Sequence, residues 1–391
     1  MSLNEQQKKV IQSILDGKSI FLSGAAGTGK THTIHEIMEV LPERYTGLTA
    51  TTGMAALLIG GRTVHSFLGI GLGEDPVDKL FYTILHNKMC YRKLLTLRHL
   101  IIDEVSMLSA ELLDKISELL KRVKQTTQPF GGVQMIFAGD FYQLPPVKAE
   151  YAFKADSWKE LNPEVHVLTY NYRQTTDPTL QTILDHVRTN SLTPDDINTL
   201  KACRKTTFPS YIVPTKIYAI NKDVDNINLS AYTKLPRDNE HTYQTIQEKP
   251  FQLCIDAQVM VTRNIDHESG IVNGTRGCVV DLTPETVHIH TIHDTVVEIP
   301  HLEKKIKVQG KNRKIKFMPL CLAYAITVHK SQGATIDAAE IDLGSNIFEY
   351  GQAYTALSRV RSLKGLRTVS VKGSSFKNHP EVVEFYSKAT A

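Results

Sequence analysis

Residues 21–34, FLSGAAGTGKTHTI, constrain this chain more than any other stretch. Gly24, Gly29, Lys30 and Thr31 fit GxxxxGK[ST], in which an apolar strand runs into a glycine-rich loop and out into a helix. The loop Gly24, Ala25, Ala26, Gly27, Thr28, Gly29, Lys30, Thr31 then forms a cradle. Its amides face an anion, Lys30 reaches the outer phosphate oxygens and the Thr31 hydroxyl binds Mg²⁺. The loop points to a nucleotide and leaves open what is done with the energy, because motors, kinases, GTPases and transporters share it.

The strand-then-polar-tip pattern of SIFLSG recurs in LRHLIIDEVSML and VQMIFAGDFYQL. After the loop, Ile34, Ile37, Met38 and Leu41 fall on one helical face, and Leu112, Ile116, Leu119 and Val123 form the buried stripe of a second helix. Three apolar strands with functional groups at one edge predict a parallel sheet whose site lies at the strands' carboxyl ends. That nucleotide-binding core is expected over residues 1–165. A second α/β pattern begins in EVHVLTYNYRQ, continues in TKIYAINKD and resumes in CLAYAITVHKSQG and LRTVSVKG. Between them, over about 240–317, AQVMVTR, GCVVDL, TVHIHTI and TVVEIP are short β-rich runs with a turn pair at Asn273 and Gly274, which predicts a small β-barrel.

The strand LIIDEVSML delivers two carboxylates to its tip. Asp103 is suited to order Mg²⁺ and Glu104 to position or deprotonate an attacking water. Gln143, just past the strand in FAGDFYQLPPV, is placed to report the γ-phosphate, on a loop stiffened by two prolines. A guanine-reading NKxD element fails, because NKDV puts Val224 where its Asp belongs. Gln7 carries a bidentate amide suited to the N6 and N7 edge of adenine, and an ordinary surface Gln is the alternative. His288 and His290 share one strand face without further ligands at metal spacing and are expected to face solvent. Trp158, the one tryptophan, is expected to be a packing anchor.

In order along the chain, LNEQQ, GAAGTGKT, TATTGMAALLIGGRTVHSFLGIG, IIDEVSML, FAGDFYQLPPV, LTYNYRQ, ITVHKSQGATID and YTALSRVRSLKGL resemble the successive motifs of superfamily 1B DNA helicases. LLDKISELLKRVKQTTQPFGGVQ resembles the signature of the petite integration frequency (Pif) group among them. The resemblance implies an α/β chain with two RecA-like P-loop NTPase cores. A small wedge insert near 66–95 lies in the first, and the second comprises 166–239 and 318–391, with the barrel inserted. It implies ATP and Mg²⁺ as cofactors, and movement 5′ to 3′ on single-stranded DNA with unwinding of tailed or forked duplex by a monomer. Gln7 would contact adenine, Lys30 the β- and γ-phosphates, and Thr31 and Asp103 the Mg²⁺. Glu104 would be the base, Gln143 the γ-phosphate sensor, and Arg173 and Arg359 arginine fingers from the second core. His65, Ser66, Thr327, His329 and Lys330 fall in motifs that hold DNA. A RecD-type or relaxase-associated helicase, and a DNA-binding protein with a degenerate ATP site, are the alternatives.

The basic run KKIKVQGKNRKIKF adds a DNA-binding expectation of its own. Its alternation predicts a hairpin carrying Lys311, Arg313 and Lys314, with a solvated surface hairpin as the alternative. A net charge of +4 permits a polyanionic partner without demonstrating one. Five scattered cysteines with no CxxC pair, no leader-like segment and no long apolar run predict an intracellular protein without a membrane span, whose compartment among nucleus, mitochondrion and cytoplasm is not distinguished.

Overall fold

The structure, a computed structural model, describes residues 3–219, 224–246, 249–263, 265–266, 271, 274–308 and 311–389, with the side chains of residues 57, 304–308, 311–312 and 330 outside that description. The chain divides into two compact units: Met1–Gln181, Glu349–Thr355 and Phe376–Ala391, and then Thr182–Phe348 with Ala356–Ser375.

Unit 1 is built on a parallel sheet. Its strands are β1 (Ile20–Gly24), β2 (Thr46–Ala50), β3 (Arg62–Thr63), β4 (His99–Asp103), β5 (Gln134–Gly139) and β6 (Glu164–Leu168), in the order β3-β2-β4-β5-β1-β6. The apolar runs of β1, β4 and β5 are buried because both faces of the sheet are covered. On one face Ile20, Leu22, Ile101 and Ile136 pack against Val10, Ile14, Ile34 and Ile37 of the helices α1 (Glu5–Leu15) and α2 (Lys30–Val40). On the other, Phe21, Leu100, Ile102 and Phe137 meet the helix Ala110–Lys124 through Leu113, Ile116 and Leu120. Leu112 of the expected stripe is only partly buried, and its place is taken by Leu113. Residues 64–96 form three helices whose Leu68, Leu80, Ile84 and Leu94 join this second cluster.

The resemblance implies a second core that begins at residue 166. The structure instead adds β6 to the first sheet, with Phe21 opposite Val165 and Gly24 opposite Leu168. The chain also returns to unit 1 late: Val382 and Tyr386 of the helix Pro380–Ala389 lie in the same core as Phe21. Unit 2 therefore does not own all of 318–391.

Unit 2 carries a second parallel sheet, with strands β7 (Thr215–Tyr218), β17 (Ala325–Thr327), β18 (Ala339–Leu343) and β19 (Leu366–Val371) in the order β17-β7-β18-β19. The chain between β7 and β17 is antiparallel. It forms β8 (His241–Gln244), β9 (Pro250–Leu253), β10 (Gln258–Val261), β11 (Arg276–Leu282), β12 (Thr286–Thr291), β13 (Val296–Pro300), β14 (Leu302–Val308), β15 (Lys311–Phe317) and β16 (Leu320–Leu322). Among the described residues these make a five-stranded sheet, β13-β12-β11-β10-β16, and two separate ribbons, β8-β9 and β14-β15. The insert runs past residue 317, because β16 pairs with β10. Its core is Leu253, Val259, Val279, Val287, Ile289, Ile299 and Leu320. Asn273 of the expected turn pair lies outside the described residues, as do Asn221, Lys222 and Asp223. Gly274 is described: a Cβ there would stand 1.5 Å from the Thr335 carbonyl oxygen, so only glycine fits.

His288 and His290 lie on the outer, partly exposed face of β12, alternating with buried Val287 and Ile289, and each is partnered there. His290 stacks on Tyr211 at 3.9 Å and bonds Asp294 at 2.8 Å, while His288 lies between Asp281 and Glu298. Among the described residues no cluster of His, Cys, Asp and Glu is arranged to hold a metal, and no helix is long and apolar enough to cross a membrane.

Trp158 is buried, stacked on Phe137 with ring centres 4.8 Å apart and edge-on to Phe21 at 5.5 Å. Replacing it by Ala should cost about 3–5 kcal/mol, because the cavity would open directly under β1 and β5. Urea unfolding of Trp158→Ala measures this, and a loss below about 1 kcal/mol would contradict the anchoring role.

Candidate active site

The loop after β1 is shaped by two glycines in the left-handed region. Gly27 (φ +90) lies so close to the following segment that a Cβ would meet Arg173 Cβ at 2.5 Å, and Gly29 (φ +84) turns the chain into α2. As N-cap, Gly29 brings no side chain to the first helical amides, which leaves them for an anion at the positive end of the helix dipole. Lys30 Nζ donates to the carbonyls of Gly24 (2.7 Å) and Ala25 (3.1 Å), so the ammonium is held at the rim of the loop. The Thr28 hydroxyl donates to Ala25 O at 2.9 Å, whereas Thr31 is exposed.

The carboxyl end of β4 places Asp103 and Glu104 beside one another, both buried. Asp103 accepts the Glu104 amide at 2.8 Å, and Glu104 itself adopts the left-handed conformation (φ 54, ψ 44) that a residue with a side chain seldom takes. Burial, then the Glu104 charge, pushes the Asp103 carboxyl up to about 7, against the opposing pull of the Glu104 amide and Lys30. A carboxylate so short of donors gains most from a hard cation. Thr31 and Asp103 offer the two oxygen ligands that Mg²⁺ commonly takes from a protein when phosphates and water supply the rest.

Gln143 follows β5 and is 3% exposed, and its Oε1 has no hydrogen-bond partner among the described residues. An unsatisfied buried amide oxygen costs about 1–3 kcal/mol, which is the signature of a group kept for a ligand or a second conformation. Gln7 is committed locally. It closes a capping box on α1 with Asn4 (2.8 and 3.0 Å), and its Nε2 donates to Thr33 Oγ1 at 3.2 Å, so the amide is oriented over the start of α2.

Arg173 was expected from the second core; the structure groups it with unit 1. Because β6 pairs with β1, the chain leaves β6 alongside the phosphate loop. There Asn171 Nδ2 donates to Ala26 O (3.2 Å), the Tyr172 amide donates to Gly27 O (2.8 Å), and Asn171 Oδ1 accepts the amides of Arg173 and Gln174. Asn171 is the positioning residue that sequence reading missed, although an Asn opening the tight turn NYRQ is its signal. Elsewhere in unit 1, His65 and Ser66 lie in the short helix Val64–Leu68, capped by Thr63 Oγ1 on the Ser66 amide. His65 is half-buried beside a cavity lined also by Thr63, Gly69 and Leu72, and burial lowers its pKa below 6.5.

In unit 2, Thr327 is buried at the end of β17 and His329 follows it, half-buried; the Lys330 side chain lies outside the described residues. Arg359 is buried. Its guanidinium donates to Ser358 Oγ (2.7 Å) and to the carbonyls of Ser331 (3.5 Å) and Ala334 (3.4 Å), tying the YTALSRVR segment to the one that carries His329. The basic hairpin is present as β14-β15, with Ile315 and Phe317 turned inward and Arg313 and Lys314 exposed. The Lys311 side chain lies outside the described residues. Acids outside the run also meet it: Lys314 pairs with Glu303 at 3.0 Å, and Lys316 pairs with Glu285.

The PIF1-like helicase family model matches residues 2–192, and a model of the DNA helicase Pif1 2B domain matches residues 239–282. The ATP-dependent DNA helicase PIF1 of Danio rerio is 36% identical, over 99% of this chain and 64% of its own length, so the chain spans less than two thirds of that relative. The crystal structure of Pif1 helicase from Candida albicans is 31% identical with a TM-score of 0.81, covering 99% of both chains. Pif1 helicase from Bacteroides in complex with ADP-AlF3 and ssDNA is 28% identical with a TM-score of 0.72, over 100% of this chain and 98% of that one. With its ordered motifs, two parallel sheets and end-to-end match to a solved Pif1 fold, the chain belongs to the PIF1-like helicase family.

Proposed function

We propose that this chain is an ATP-dependent DNA helicase that moves 5′ to 3′ on single-stranded DNA and opens tailed or forked duplex. The observation that carries the reading is the convergence, at one sheet edge, of the phosphate loop, the buried Asp103–Glu104 pair and the unsatisfied Gln143. The two parallel sheets are read as two RecA-like cores, the 64–96 helices as a wedge and the antiparallel insert as the small barrel.

A bound Mg²⁺ would neutralise charge on the nucleotide's phosphates. Lys30 and the loop amides would hold the phosphates and Thr31 and Asp103 the cation, while Glu104 would take a proton from the water whose oxygen bonds the γ-phosphorus as the bond from that phosphorus to the β-γ bridging oxygen breaks, leaving ADP and phosphate. Gln143 Nε2 would donate to a γ-phosphate oxygen, and its unsatisfied Oε1 would accept from the attacking water, so nucleotide state would be reported to the loop that carries it. Arg173 and Arg359 are the proposed arginine fingers, and Gln7 the adenine contact. Duplex stacking is worth about 1.4 kcal/mol per base-pair step, so a motor that traps opened pairs meets a modest barrier in each cycle. The chain is read as a monomer, which sedimentation would measure.

Lys30→Ala should abolish ATP turnover. Glu104→Gln should bind ATP and lose at least about 10² in rate, since proton transfer to a positioned base contributes that much. Steady-state ATPase with single-stranded DNA measures both, and near-normal turnover in Glu104→Gln would remove it from the mechanism. Strand displacement with 5′-tailed and 3′-tailed duplexes checks the polarity: unwinding only from the 3′ tail would overturn it.

His65 and the hairpin should differ in how they hold DNA. With a pKa below 6.5, His65 is uncharged at pH 7.5 and contributes a hydrogen bond rather than a counterion-releasing charge. His65→Ala should therefore weaken single-strand affinity at every salt concentration without changing the slope of log affinity against log salt. Replacing Arg313 and Lys314 by Ala should flatten that slope, by about 0.7 for each phosphate no longer neutralised. An unchanged slope in the hairpin variant would return it to a solvated surface feature.

A further inference from the structure

Asp140, at the carboxyl end of β5 and three residues before Gln143, is fully buried. Its oxygens collect donors from three parts of the chain. Oδ1 accepts from the Tyr142 amide (3.2 Å) and the Tyr386 hydroxyl (3.4 Å), and Oδ2 accepts from the Tyr354 hydroxyl (3.2 Å). Each phenol oxygen is used a second time at the phosphate loop. Tyr354 accepts the Ala26 amide at 3.3 Å, and Tyr386 lies 2.6 Å from Ser23 Oγ while accepting the Phe141 amide at 3.1 Å. With Tyr386 donating to Asp140, Ser23 is the donor in the 2.6 Å bond, and each of the three hydroxyl protons has its own acceptor.

Neither phenol belongs to the elements that build the sheet. Tyr354 comes from Glu349–Thr355 and Tyr386 from the helix Pro380–Ala389, the two segments that unit 1 takes back late in the chain. Packing holds both rings in place: Tyr386 stacks flat on Tyr142, with centres 4.8 Å apart and planes 8° apart, and Tyr354 is 2% exposed. Ser23 and Ala26 stand at the start of the phosphate loop, and Asp140 begins the loop that carries Gln143. A buried carboxylate must keep its donors, so the cluster acts as one unit.

We propose that Asp140, Tyr354 and Tyr386 are positioning residues, a clasp by which the segment Glu349–Thr355 and the last helix hold the phosphate loop and the Gln143 loop in the geometry that receives nucleotide. The inference rests on the reading of that loop as the ATP site. None of the three needs to touch ATP; they act through the Ala26 amide, Ser23 and the backbone at Phe141.

The test uses the full chain and Mg²⁺ with N-methylanthraniloyl-ADP as the fluorescent probe, alongside thermal unfolding. Tyr354→Phe and Tyr386→Phe, which keep their rings, should each weaken probe binding about tenfold, as expected for the loss of one charge-assisted hydrogen bond. Asp140→Asn should weaken it at least as much. Adding Tyr386→Phe to Asp140→Asn should change affinity by less than about twofold, because members of one network do not add. Val382→Ala, one turn before Tyr386 on the same helix and in the same core but with no side-chain hydrogen bond to lose, should lower Tm and leave affinity intact. If Asp140→Asn fails to fold, the double Tyr354→Phe/Tyr386→Phe variant replaces it, and it should fall short of the product of the single effects. Wild-type affinity in both Tyr variants, multiplying effects in the double variant, or affinity that falls in Val382→Ala in step with its Tm would overturn the clasp alone. A wild-type protein that binds no probe would overturn the ATP-site reading, and the clasp with it.

Discussion

The register of β1 is the constraint on which the site depends. Parallel pairing sets Ser23 opposite Gly139 on one side and Gly24 opposite Leu168 on the other, so three loops leave the sheet at the same level. A parallel ladder fixes strand direction as well as spacing, and burial of both faces forbids a one-residue slip, which would exchange Phe21 with its neighbours Ile20 and Leu22 between the two cores. The phosphate loop, the Asp140–Gln143 loop and the Asn171–Gln174 turn meet because the strands beneath them cannot slide.

The buried carboxylates of unit 1 are kept in opposite ways. Asp103 takes the Glu104 amide and sits beside another acid, and its burial favours the protonated form. Asp140 is met by two phenols and an amide. The first arrangement leaves a site short of positive charge; the second makes a rigid junction of elements far apart in sequence. One sheet edge carries both, on adjacent strands, and the difference lies in the donors that tertiary packing brings to each.

Legibility in the sequence followed the range of the interactions. The strands β1, β4 and β5 were readable because apolar runs ending in polar residues report burial directly, and the basic hairpin was readable because two-residue alternation reports which side faces in. The destination of β6 was not: EVHVL has the texture of a strand in either sheet, and only pairing energy with β1 decides between them. The misplacement of Arg173 follows from that ambiguity. The late return of the chain to unit 1 was equally hidden, since VVEFY is an ordinary amphipathic stretch until Phe21, Phe141 and Trp158 are in place for it to cover.

By itself the sequence determined the chemistry at the strand tips: a phosphate loop, two adjacent carboxylates and a following glutamine, each defined by residues within a few positions of one another. It also determined that two parallel α/β patterns flank a β-rich insert, because side-chain periodicity is a local property of the backbone. Only the tertiary structure decided which sheet each strand joined, that Asn171 laces the segment bearing Arg173 to the phosphate loop, and that phenols from positions 354 and 386 share Asp140 with that loop. Those outcomes rest on contacts between residues distant in sequence, whose free energy depends on shape and burial that no local stretch encodes.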